Sequence, residues 1–66
     1  MPDVYMNLIE RLQNLYDKEI NFKIECSWDN GFRVCLGDEL NGYNFVGAGF
    51  YYIKDAIEKL VMEAGK

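Results

Sequence analysis

The side chains here that have chemistry to offer are acids at two turn-like stretches, two cysteines and an excess of aromatic rings. Asp38 and Glu39 stand together, and Asp29 stands in the other turn. Hard cations are held by several oxygen ligands at alternating positions, and neither stretch supplies that spacing, so solvated turns are expected and no metal is assigned. Paired-carboxylate catalysis needs two acids across a cleft with separated pKa values, and 66 residues with helices packed on a sheet leave little cleft. Cys26 and Cys35 are too few for a disulfide scaffold and lack CxxC spacing. A nucleophilic thiol needs an activating group, and the chain has no histidine. No trio with catalytic roles can be assembled, so neither an enzyme nor a cofactor is expected.

The aromatic content is more informative. Ten aromatic rings, five of them tyrosine, exceed what so small a core can hide. Some are expected at the surface, where Tyr and Trp favour interfaces. Trp28 and Phe32 flank one turn, and Tyr43, Tyr51 and Tyr52 cannot all be buried if Ile53 and Ala56 belong to a core stripe. The candidate partner-binding set is therefore Trp28, Asp29, Phe32, Asp38, Glu39, Tyr43, Tyr51 and Tyr52.

With 11 acidic and 7 basic residues the formal charge is −4. That sign repels a phosphate backbone unless Lys18, Lys23, Arg33, Lys54 and Lys59 gather on one face. A nucleic-acid partner is disfavoured on that ground. Met1-Pro2-Asp3 leads directly into an amphipathic pattern without the basic and apolar regions of a signal peptide. No run approaches the roughly 18 apolar residues of a membrane span. A single cytosolic domain over 1–66, with no membrane partner, is the expectation.

The elements that must position these residues follow from periodicity. Tyr5, Leu8, Leu12, Leu15 and Tyr16, with Ile9 beside them, recur at steps of three and four and predict a helix from an Asp3 N-cap to about Lys18. Pro2 is tolerated just before such a start, and Arg11 and Lys18 suit the negative end of its dipole. Glu19-Ile20 makes the corner. Ile20, Phe22, Ile24, Cys26 and Trp28 then alternate with polar residues as a half-buried strand. Phe32, Val34 and Leu36 form the core side of a second strand, and Tyr43 to Phe50 a third. In the third, either Val46, Ala48 and Phe50 or Tyr43 and Phe45 face the core, with a bulge switching between them and Gly47 and Gly49 marking a kink or a close helix approach. Ile53, Ala56, Ile57, Leu60, Val61 and Ala64 predict a second helix over about 51–64, ended by Gly65 as C′ residue.

Hairpin register can be tested by parity. A two-residue Asn30-Gly31 turn pairs Trp28 with Arg33 and sets apolar against polar faces. A three-residue Asp29-Asn30-Gly31 loop pairs Trp28 with Phe32, Cys26 with Val34 and Ile24 with Leu36, and keeps all six on one face. Gly31 takes the positive φ of a G1 bulge. This register turns Cys26 toward the helices as a small buried hydrophobe and sets Cys35 opposite Glu25, partly exposed on the outer face, so no disulfide joins them. That face, with Lys23, Glu25, Ser27, Arg33 and Cys35, has the mixed look of a solvated surface. The fold expected is α+β, α-β-β-β-α, a three-stranded antiparallel sheet with two helices on one face. Asn41-Gly42 is the second hairpin signal, and the sheet keeps two unpaired edges open to another chain or a second copy.

The element order, with Tyr43-Asn-Phe-Val-Gly-Ala-Gly49 running into the second helix, resembles the double-stranded RNA-binding domain. That family binds duplex RNA through a lysine cluster at the start of its second helix. Here that start is Tyr51-Tyr52-Ile53-Lys54-Asp55, so the resemblance implies topology and not RNA binding. Ser27-Trp28-Asp29-Asn30-Gly31-Phe32-Arg33-Val34, with Leu36-Gly37-Asp38 and Asn41-Gly42-Tyr43, resembles a pattern in short uncharacterised proteins of bacteria, phages and prophages. In size, acidity and simplicity the chain is similar to phage inhibitors of host defence, anti-CRISPR proteins among them. The expectation is a non-catalytic protein-binding module, such as a phage-encoded inhibitor, with acids that stand in for nucleic-acid phosphates as one version. A nucleic-acid-binding domain and an edge-paired homodimer are the alternatives.

Overall fold

The computed structural model describes residues 4–65, with side chains from Met6 onward. The elements run α1 (Val4–Asp17), β1 (Phe22–Ser27), β2 (Gly31–Asp38), β3 (Gly42–Phe50) and α2 (Ile53–Ala64), the α-β-β-β-α order read from periodicity. The Pro2 and Asp3 readings and the Tyr5 side chain lie outside the described residues. The strands form one antiparallel sheet in the order β1-β2-β3.

The α1 helix ends where the chain turns at Glu19. Its φ of 62° is left-handed. Glu19 N–H donates to the Tyr16 carbonyl at 3.0 Å, and Ile20 N–H reaches back to that of Leu15 at 2.9 Å. This is a Schellman closure with glutamate where glycine is usual. Ile20 then packs against the core. The second helix starts two residues later than its pattern predicts, because Tyr51 and Tyr52 form the bend and Tyr52 is the N-cap. Gly65 closes it as C-cap with a right-handed φ of −84°, so it is not the left-handed C′ residue expected.

Buried Leu15, Val34, Ala56 and Leu60 form one cluster that joins α1, β2 and α2 on one face of the sheet. Leu8 and Ile57 are also buried, and Leu12, Val46, Phe50 and Val61 are partly so. The apolar stripe of α1 is narrower than its periodicity suggested. Tyr16 and Ile9 are exposed. Among the described side chains of α1, Leu8, Leu12 and Leu15 are the ones that keep the helix seated.

The β1–β2 hairpin has a three-residue loop, one position earlier than expected. Asn30 N–H donates to the Ser27 carbonyl at 3.2 Å, leaving Trp28, Asp29 and Asn30 in the loop and Ser27 paired with Gly31. Gly31 does take positive φ, 80°. The pairs are therefore Cys26 with Phe32, Ile24 with Val34 and Phe22 with Leu36. This is a slip of two residues, which preserves every face and so escapes a parity argument. It sets Cys35 opposite Lys23 and Glu25 opposite Arg33.

Both cysteine environments are the reverse of the expectation. Cys26 keeps the helix-side parity yet is exposed, because α2 lies over β2 and β3 and leaves the far end of β1 uncovered. Cys35 lies on the other face yet is 2 % exposed, flanked on the central strand by Lys23 and Phe45. The β3 register resolves through two one-residue shifts between Phe32 and Cys35. Tyr43 and Phe45 pair with Gly37 and Cys35 and share the outer face, whereas Val46 and Phe50 pack on the core. A Cβ on Gly47 would meet the Phe50 ring at 2.9 Å and Lys59 of α2 at 3.7 Å, so the close helix approach is present at that glycine.

Candidate functional site

The ladder divides the expected partner-binding residues between two ends of the sheet. Phe32 pairs with Phe50, so the β1–β2 turn and the bend after β3 share one end. Trp28, Asp29, Phe32, Tyr51 and Tyr52 belong there. Trp28 is 97 % exposed and Tyr51 89 %, Tyr52 and Asp29 are exposed, and Phe32 is half-buried against the core. Asp38, Glu39 and Tyr43 belong to the opposite end, around the β2–β3 turn. The seven steps of β2 separate the two sets by about 23 Å.

Trp28 is exposed for a local reason. It occupies the loop and not a strand pair, and the α2 helix that could cover that end begins only at Ile53. Beside the turn, a shallow depression of about 640 Å³ is lined by Glu25, Cys26, Ser27, Asn30, Gly31, Arg33, Ala48 and Gly49. Its lining residues include acidic Glu25, basic Arg33, Cys26 and Ser27, in a chain without histidine.

At the opposite end Asp38 has a different role from the one its sequence position suggested. Its carboxylate accepts from Asn41 N–H at 2.7 Å, from the Asn41 amide at 3.3 Å and from Asn21 Nδ2 at 2.8 Å. The turn and the α1–β1 corner are thereby tied together, with Gly37 N–H to the Asn21 carbonyl at 2.8 Å beside them. Those hydrogen bonds, led by the Asn41 backbone donor, outweigh partial desolvation and hold the Asp38 pKa below its ordinary value. A lowered folded-state pKa means that the unfolded chain binds the proton more readily. The stabilisation is complete above the unfolded aspartate value of about 3.9 and is lost as pH falls through the lower folded value. Urea unfolding at a series of pH values is expected to show a shallower acid limb for Asp38→Asn than for the natural chain in that window. Parallel limbs would contradict the assignment.

The outer sheet face carries more than a solvated mixture. Lys23 Nζ lies 4.1 Å from the centre of the Tyr43 ring, and the Arg33 guanidinium 5.4 Å from that of Phe45. Lys23 also pairs with Glu25 at 3.4 Å. Phe45, 63 % exposed, and Leu40, in the β2–β3 turn, were not among the expected surface residues. For Phe45 the signal is its alternation with Tyr43, which becomes readable only once the β3 register is known. The chain's cations do not gather on one face: Lys23 and Arg33 stand on the open side, whereas Lys59 approaches Gly47 from α2.

Among the described residues no three His, Cys, Asp or Glu side chains converge as a metal site, and no helix is long and apolar enough to cross a membrane. Compared with known proteins, the chain matches no family model, no curated protein and no solved structure.

Proposed function

We infer that this chain is a non-catalytic protein-binding module whose contact surface is the sheet end carrying Trp28, Tyr51 and Tyr52. The observation that carries this reading is the nearly complete exposure of Trp28 and Tyr51 at that one end. Large rings left in water are costly in a small domain, and Trp and Tyr are the residues that most often anchor a partner. Asp29 adds an acid in the same turn. In its finer form the proposal is an inhibitor of the phage type, which docks on a host protein complex. The charge of −4 supports a version in which acids occupy a basic, phosphate-binding channel, and that version requires binding to weaken steeply with salt.

The test is capture from a host lysate on the tagged chain, with and without nuclease, followed by affinity measurement with the recovered protein. Trp28→Ala is expected to weaken that affinity roughly thirtyfold, the effect of an aromatic anchor worth about 2 kcal/mol. Leu40→Ala, an exposed apolar truncation at the other end of the sheet, is expected to leave it unchanged. Equal affinities for natural chain and Trp28→Ala would remove this surface. Capture that vanishes with nuclease would favour a nucleic-acid partner, read through the Arg33–Phe45 and Lys23–Tyr43 pairs of the open face.

A further inference from the structure

The two edges of this sheet differ. The β3 edge is interrupted by two register shifts and by Gly49 at a φ of 78°. Bulges of this kind are how sheet edges avoid pairing with other chains. The β1 edge has no such interruption: its ladder with β2 runs unbroken from Phe22 to Ser27. On the helix side of β1, Phe22 and Ile24 are only half-buried and Cys26 is exposed.

The charges on β1 identify what fits it. Lys23 and Glu25 are two residues apart on the outer face. We propose that β1 pairs antiparallel with β1 of a second copy about a two-fold axis at Ile24, joining two sheets into one of six strands. In that register Lys23 lies opposite Glu25 of the second copy, and Glu25 opposite its Lys23. Ile24 meets Ile24, and Phe22 meets Cys26. The same-face registers two residues to either side set Lys23 against Lys23 or Glu25 against Glu25, which is destabilising for directly opposed strands. The edge charges therefore select one register where a row of like charges would forbid pairing. The pairing leaves the Trp28 loop free, so it goes beyond the binding surface proposed above and stands or falls separately.

Light scattering over a concentration series from micromolar to millimolar is expected to show the natural chain passing from monomer to dimer. Glu25→Lys and Lys23→Glu each put like charges opposite one another twice per dimer. Each is expected to weaken the dimer about tenfold, and the swapped double variant K23E/E25K is expected to restore it. Circular dichroism checks that each variant is folded. A second readout needs no variant: Cys26 is exposed whereas Cys35 is buried, so maleimide labelling of the folded chain reports Cys26. That labelling is expected to slow as the dimer forms. A monomer mass at every concentration, a dimer indifferent to both reversals, or a double variant no better than the single ones would each overturn the proposal.

Discussion

Leu60→Ala is expected to lose about 2–5 kcal/mol of folding stability, the range for removing a fully buried leucine and leaving a cavity. Leu60 is 0 % exposed and belongs to the cluster that also contains Leu15, Val34 and Ala56. Its position makes the site hard to collapse. The α2 helix packs on β2, on β3 and on α1, so the cavity would open where three layers of contact meet. By the usual stability per residue, a chain of 66 residues holds roughly 3–10 kcal/mol in total. The variant should accordingly be largely unfolded in mild urea. Met62→Ala supplies the comparison, since Met62 lies on the same helix and is mostly exposed. Its cost is expected within about 0.5 kcal/mol. Matching urea midpoints for the two variants would show that α2 is not seated as described.

The parts of this structure legible in the sequence are those written in periodicity. Leu8, Leu12 and Leu15 on α1, and Ala56, Ile57 and Leu60 on α2, repeat at helical spacing and are the residues that seat the helices. Alternation gave β1 and β2 their faces, and the Asn30-Gly31 and Asn41-Gly42 signals located both turns. What alternation does not encode is how far one strand has slid along another by an even number of residues, and that slip decided the Trp28 environment. Nor does it encode where cover stops. Cys26 has the correct parity for burial, but it lies beyond the helices, whereas Cys35 is buried because the central strand gives it neighbours on both sides. At Glu19-Ile20 the expected corner is present, and only its left-handed geometry was not legible. A glutamate in the left-handed region at a helix end gives no signal in the chain, because glycine or asparagine is what that position ordinarily requires. The candidate site was legible by type, since exposed aromatics were expected. It was not legible as a place, because only the pairing of Phe32 with Phe50 separates the Trp28 end from the Asp38 end.

Gly37→Ala is expected to cost about 3 kcal/mol or more, and Gly42→Ala about 1–2 kcal/mol, although both glycines hold positive φ on facing strands. The difference comes from space. At Gly42, with a φ of 87°, a Cβ would meet nothing within 4 Å, so the variant bears only the conformational penalty of an L-residue in a left-handed position. At Gly37, with a φ of 114°, the Cβ would run into the carbonyl oxygen of Gly42. That carbonyl cannot easily withdraw. Gly42 follows Asn41, which the Asp38 carboxylate holds by backbone and side chain, and Gly37 itself donates to the Asn21 carbonyl. Relieving the clash therefore means loosening the turn or its tie to the α1–β1 corner. Chemical denaturation of the two variants side by side measures the contrast, and Asp38→Asn in the Gly37→Ala background identifies its origin. If the clash already breaks the clamp, the second substitution should add almost nothing. Equal losses for the two glycine variants would mean that backbone conformation alone, and not the approach of the Gly42 carbonyl, reserves position 37 for glycine.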